Sequence, residues 1–142
     1  MTRRVFKGRC LVGGSAKGVA LTSRRAFTFA HGVEPATGIV TDHHSEMKGS
    51  KVAGKVLFYP YGKGSTTGSS WFLETVRLGN GPAAIVTEGP DLTAVIGSVM
   101  SRIIYGKSIP VLSDFPRELY SAVKTGAAVD VDGEKGEVVL EV

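Results

Sequence analysis

Residues 54–79 constrain the fold more than any other part of the chain. Val56, Leu57, Phe58 and Tyr59 form a nearly continuous apolar run bounded by Gly54 and Pro60, and such a run suits a strand buried on both faces. The chain then passes through Gly62-Lys63-Gly64-Ser65-Thr66-Thr67-Gly68-Ser69-Ser70. Phe72, Leu73, Val76 and Leu78 follow at helical spacing, with Gly79 as terminator. Ser70 is the expected N-cap, and Glu74 falls in the first turn. A buried strand leading through a glycine-rich loop into a helix is the unit of an α/β sheet, and ligand sites recur at that junction.

The flanking sequence supplies further elements. Residues 5–12 are expected as one strand ending at Gly13-Gly14, residues 19–22 and 26–29 as two short strands, and residues 38–41 as another. Residues 32–38, with Pro35, read as a loop, and residues 42–50 as polar and exposed. Beyond the loop, strands at 82–87 and 109–112 alternate with helices at 92–104 and 116–124. The first of these helices starts at Pro90-Asp91 and stops at Gly106; the second carries Pro116 at N1. Residues 128–131 and 137–142 form a hairpin around Asp132-Gly133. With 19 glycines among 142 residues, about twice the ordinary ~7% share, the chain is expected to be an α/β domain with an antiparallel, turn-rich half.

Charge and cysteine usage narrow the function. Cys10 is the only cysteine, which excludes an internal disulfide, fits a reducing cytoplasm, and is too few thiolates for an iron–sulfur cluster. It is expected to be a small buried apolar residue. The net charge of +4 is scattered, with small groups only at Arg3-Arg4 and Arg24-Arg25. A nucleic-acid binder concentrates its charge on one face, so a small anionic substrate or an acidic partner is the preferred explanation. The start MTRRVFKGRC has no apolar run behind it, and no segment has the ~18 apolar residues of a membrane span. A soluble, cytoplasmic protein is expected.

The loop at 62–70 carries the strongest chemical signal. Its glycines let backbone approach a ligand, the following helix start favours negative charge, and Lys63 adds a cation. It is not a Walker motif, because Lys63 precedes the serines instead of following the second glycine. Nor is it the G-x-S-x-G elbow of hydrolases, and no local pattern brings His31, His43 or His44 to a serine. His43-His44 beside Asp42 and Glu46 reads as an exposed polar loop, because adjacent strand residues face opposite sides.

Four pieces in series resemble the aconitase X small subunit: Gly32-Val33-Glu34-Pro35-Ala36-Thr37-Gly38, Gly54-Lys55-Val56-Leu57, Gly62-Lys63-Gly64-Ser65 and Pro82-Ala83-Ala84-Ile85-Val86. The resemblance reaches to about Val111. It implies that residues 1–142 are one swivelling β/β/α domain, equivalent to the mobile C-terminal domain of aconitase. That domain closes over a larger subunit, which carries the iron or iron–sulfur centre and most substrate contacts; none is bound by this chain alone. It implies dehydratase activity on a small hydroxylated carboxylate, with Ser65 as proton acceptor. Gly62, Lys63, Gly64, Thr66, Thr67, Gly68 and Ser69 would form the substrate loop around it. Family members include cis-3-hydroxy-L-proline dehydratases and phosphomevalonate dehydratases. Phosphomevalonate would demand cations for its phosphate, with Lys63, Arg77 and Lys107 as candidates, and a composition without Lys/Glu enrichment favours the hydroxyproline type.

Two alternatives compete. Residues 83–86, 109–111 and 129–136 resemble the phosphohistidine swivel domain, but Asn80-Gly81-Pro82 stands where its histidine would be. A non-catalytic module binding anions or nucleic acid would use the basic surface.

Overall fold

A computed structural model of the protein describes residues 2–63 and 67–141; Gly64, Ser65 and Thr66 lie outside the described residues. The elements are β1 (Arg3–Lys7), β2 (Arg9–Val12), β3 (Ser15–Thr22), β4 (Val33–Glu34), β5 (Ile39–Val40), β6 (Lys55–Tyr59), α1 (Thr67–Arg77), β7 (Ala84–Thr87), α2 (Leu92–Tyr105), β8 (Val111–Ser113), α3 (Arg117–Ala122), β9 (Ala128–Asp132) and β10 (Glu137–Glu141).

The main sheet runs β1-β10-β9-β3-β6-β7-β8-β2, and β4 pairs with β5 separately. Its centre, β3-β6-β7-β8, is parallel, and the outer pairings are antiparallel. β1 and β2 occupy opposite margins although only Gly8 separates them. Lys7 and Arg9 are therefore at most about 7 Å apart, so the sheet curls until its margins meet. Phe6, Val56, Phe58, Val86, Leu112 and Leu140 pack inside the curl, where Leu119 of α3 joins them. Leu57, Tyr59 and Ile85 face the other way, onto Phe72 and Val76 of α1 and Ala94 of α2. β6 is thus buried on both faces, as its apolar run predicts.

The expected strand at 5–12 is two strands. A Cβ on Gly8 would sit 2.6 Å from the Phe115 ring, so the chain crosses between margins at its one bare position. Residues 26–29 form no strand but a single bridge, Phe27 to Gly62. The 32–38 loop contains β4 and turns tightly into β5, with the amides of Thr37 and Gly38 both bonded to the Glu34 carbonyl and Gly38 at φ +73°. Met47 is buried within the otherwise polar 42–50 segment. Strands expected to start at 82 and 109 start at Ala84 and Val111, and Pro116 caps α3 instead of opening it. The terminal hairpin turns over residues 133–136, not on two residues, because Gly133 donates to the Gly14 carbonyl and Gly136 takes the left-handed conformation at φ +66°. Cys10 is exposed rather than buried, since its place on the marginal strand β2 leaves one side uncovered.

Candidate functional site

The described entrance of the serine loop follows the carboxyl end of β6, where Gly62 bridges to Phe27, and its described exit opens α1 at Thr67. Its entrance is held by backbone: Phe27 donates to the Tyr61 carbonyl at 3.1 Å, and Lys63 donates to the Phe27 carbonyl at 3.0 Å. α1 starts at Thr67, so Ser70 lies inside its first turn and is not the N-cap. Gly68 is a poor helix former, but tertiary contact holds it in the helix. Gly68 and Ser69 are buried, and the Ser69 hydroxyl donates to the Thr93 carbonyl at 3.2 Å.

The predicted loop residues have distinct placements. Lys63 makes an ion pair of 3.0 Å with Asp42. The Asp42 carboxyl is held below its ordinary range, first by the hydrogen bond from the His44 amide and then by Lys63. Gly62 packs on Asp91. Thr67 and Ser70 are exposed at the start of α1. Ser65, Gly64 and Thr66 lie outside the described residues.

The other proposed cations are remote. Arg77 ends α1, about 15 Å along the helix axis from Thr67, and its guanidinium forms a two-bond pair with Glu74 at 2.6 and 2.8 Å. Lys107 follows the far end of α2, about 20 Å from that helix's start. Neither lies beside the described ends of the loop, Lys63 and Thr67.

Two groups beside the loop are not legible as site residues in the sequence. The Asp91 carboxylate, 6% exposed, caps α2 and also receives the Tyr59 hydroxyl at 2.6 Å. Burial first, then the charge of Asp91, pushes the Tyr59 phenol well above its ordinary value, so it stays a donor. Pro90-Asp91 signals only a helix start, and Tyr59 reads as one more core residue. On the other side of α1, a cavity of about 380 Å³ is lined by Glu34, Pro35, Ser70, Trp71 and Glu74. His31, at φ +58°, packs against Trp71 with ring centroids 4.6 Å apart and the ring planes tilted by 53°. The G-V-x-P-x-T-G loop thus faces the serine loop's helix across a cleft.

His43 and His44 are exposed; His43 Nδ1 lies 2.8 Å from Lys48 Nζ. Asn80, where a phosphohistidine domain would carry its histidine, donates to the Pro35 carbonyl. Among the described residues no helix is long and apolar enough to cross a membrane.

Comparison with known proteins places this geometry. The aconitase X swivel domain family matches residues 5–140. The phosphomevalonate dehydratase small subunit of Pyrococcus furiosus is 39% identical over 135 residues, covering 95% of this chain and 94% of that protein. The protein of the same name from Thermococcus kodakarensis is 39% identical over 135 residues, covering 95% of each. The crystal structure of Thermococcus kodakaraensis aconitase X in its holo form superposes with a TM-score of 0.87 at 37% identity, covering 98% of this chain and 99% of that one.

Proposed function

Because the chain belongs to the aconitase X swivel domain family and is a subunit of a dehydratase, we propose that it is the small subunit of a two-component hydro-lyase that removes water from (R)-5-phosphomevalonate, with Ser65 as proton acceptor. The names of its relatives support this substrate. The hydroxyproline preference drawn from composition gives way to it, since charged-residue content bears on temperature and not on substrate chemistry. The protein works in the cytoplasm, with residues 1–142 acting as one swivelling domain.

One observation carries the reading: the G-K-G-S motif leaves a β6 buried on both faces and runs into the start of α1, whose first turn carries no acidic side chain. A serine there is an unusual base, since its alkoxide is inaccessible in water at neutral pH. Nearby N–H donors, positive charge and exclusion of water bring it within reach. In the reaction the substrate C–H proton passes to the Ser65 oxygen. The electron pair left behind forms the carbon–carbon double bond, and the C–O bond breaks to release hydroxide. The family's iron centre belongs to the larger subunit. This chain's residues do not suit it: its single cysteine is exposed at a sheet margin, and no described group of three His, Cys, Asp or Glu side chains could hold a metal. With Arg77 and Lys107 remote and Lys63 engaged by Asp42, the substrate phosphate is bound chiefly by the larger subunit.

The docking face for that subunit is the outer side of α2. Leu92, Ile96, Val99 and Ile103 are 69, 47, 41 and 72% exposed. Their spacing of four, three and four places them in one stripe, and soluble monomers rarely leave such a patch uncovered. The stripe starts one residue after Asp91, on which Gly62 packs, so a partner seated on it also lies beside the loop's entrance.

The complex purified with its large subunit tests the assignment. Ser65→Ala is expected to fold and assemble normally and to lose about 10²–10⁴-fold in turnover of phosphomevalonate. Near-normal turnover would refute the serine base. Faster water loss from cis-3-hydroxy-L-proline than from phosphomevalonate would refute the substrate.

A further inference from the structure

The described residues before and after Ser65 rest on neighbouring positions at the start of α2: Gly62 on the cap Asp91, and Gly68 and Ser69 on Thr93. At the entrance, a Cβ on Gly62 would lie 2.5 Å from the Asp91 carboxyl carbon and from both of its oxygens. The bare Gly62 backbone therefore lies flat on the carboxylate. At the exit, the Cβ position of Gly68 is 3.6 Å from Thr93 Cβ and Oγ1, and Ser69 donates to the Thr93 carbonyl.

The carboxylate beneath is fixed more firmly than helix capping requires. Its Oδ1 accepts from the Thr93 amide at 3.1 Å, the Thr93 hydroxyl at 2.7 Å and the Ala94 amide at 3.3 Å. Its Oδ2 accepts from Tyr59, the last residue of the strand that leads into the loop. Buried carboxylates need such donors to persist. Here they come from β6 and α2, which tie the strand before the loop to the helix under it.

We propose that Asp91 is the positioning residue of the serine loop. Clamped by Tyr59 and Thr93, it is the floor that sets the height of Gly62 and, through Thr93, the seat of Gly68 and Ser69. Gly62 is glycine because the floor leaves no room for a methyl group. The catalytic consequence rests on Ser65 being the base; the seat itself does not.

The test is a two-residue cycle of Gly62→Ala, Asp91→Ser and their double variant, in the complex and in the full chain alone. Serine at 91 keeps an N-cap oxygen while shortening the side chain. Gly62→Ala is expected to lower kcat about 100-fold with KM within about threefold, because displacing a catalytic group by about 1 Å costs on that order. In the chain alone it should speed amide exchange at residues 63 and 67–70 about tenfold, leaving β6 and the body of α2 unchanged. The double variant should recover about tenfold in kcat over Gly62→Ala, since room is restored, whereas a general loss of stability would add instead of cancelling. Wild-type kcat and exchange in Gly62→Ala, or no recovery in the double variant, would overturn the proposal. If the cycle behaves as expected and Ser65→Ala still turns over, the seat stands and the serine base falls. If Ser65→Ala is dead and Gly62→Ala is indifferent, the reverse holds.

Discussion

α1 and α2 lie side by side on the same face of the sheet and follow adjacent parallel strands, yet they are finished in opposite ways. α2 is sealed at its start: Asp91 takes the Thr93 and Ala94 amides, and the carboxylate is buried. Its outer side is bare hydrocarbon from Leu92 to Ile103. The first turn of α1 carries no carboxylate, and its outer side is ordinary, with Glu74 and Arg77 paired in solvent. A helix start favours negative charge whether that charge belongs to the protein or to a ligand. The sealed start is a structural fitting, and in the proposed function the start without a carboxylate is left to the reaction. In the same reading the bare side of α2 is the attachment surface, while the Glu74–Arg77 side of α1 faces water.

The two helices should diverge most on the outer side of α2. Ile96→Lys combined with Ile103→Lys puts two ammonium groups on the stripe. Both positions are exposed in the isolated chain, so its melting temperature should change little. Association with the large subunit should weaken by at least about 100-fold, as expected when two central apolar anchors are replaced by charges. Co-purification and titration calorimetry read the effect, and matching charges placed on Arg77's side of α1 should have none. Unaltered association would mean that the partner sits elsewhere.

A smaller change makes the two helix starts alike. Ser70→Asp gives the first turn of α1 the carboxylate it lacks, at an exposed position. It should stabilise the isolated chain by about 0.3–1 kcal/mol through the helix dipole. It should also raise the KM of the anionic substrate about tenfold at low ionic strength, with the penalty shrinking as salt is added. Ser70→Asn, equal in size and neutral, should do neither. Higher stability without any effect on KM would separate this turn from the substrate path.

These opposite finishes also explain what could be read in the sequence. The strand at Val56, the Asp91 and Gly106 boundaries of α2 and the loop motif are written in local signals: an apolar run, a cap pair, glycines at fixed spacing. The split of residues 5–12 is not local, because Gly8 looks like any strand glycine until the Phe115 ring, more than a hundred residues away, is packed against it. The start of α1 at Thr67 escapes for the same reason; Gly68 packs on Thr93, and Ser69 donates to its carbonyl, from a separate helix. Asp91 was legible as a cap but not as a floor, since its second role depends on Tyr59 and Gly62 arriving from another strand and loop. Substrate was least legible, because one subunit of a dehydratase need not itself carry the groups that select the substrate.

α3 gives the comparison its third case and its smallest expected effect. It lies across the sheet from α1 and α2, its cap Pro116 makes no side-chain hydrogen bond, and it spans only six residues. Such a helix is held by contacts and not by its own termini. The polar contact that ties it down is Tyr120, whose hydroxyl donates to the Thr87 carbonyl at 2.6 Å and accepts from the Phe115 amide at 3.3 Å. Burial, the largest cause, pushes the phenol from its ordinary value of 10.0 up to about 12, with Glu88 and Asp114 adding to the rise. A raised folded-state value means that the folded protein holds this proton more tightly than the unfolded chain does. The contribution is therefore complete below pH 10 and is lost as pH rises through 12. Tyr120→Phe should cost about 1–2 kcal/mol near neutrality, measured by denaturant unfolding. It should also flatten the fall in stability between pH 10 and 12 that the wild type shows. Neither α2 docking nor the serine loop should notice, since Tyr120 packs with the cluster inside the curl and touches neither helix of the site. If Tyr120→Phe did alter turnover at neutral pH, the two faces of the sheet would be coupled through Thr87, and the division of labour between them would have to be redrawn.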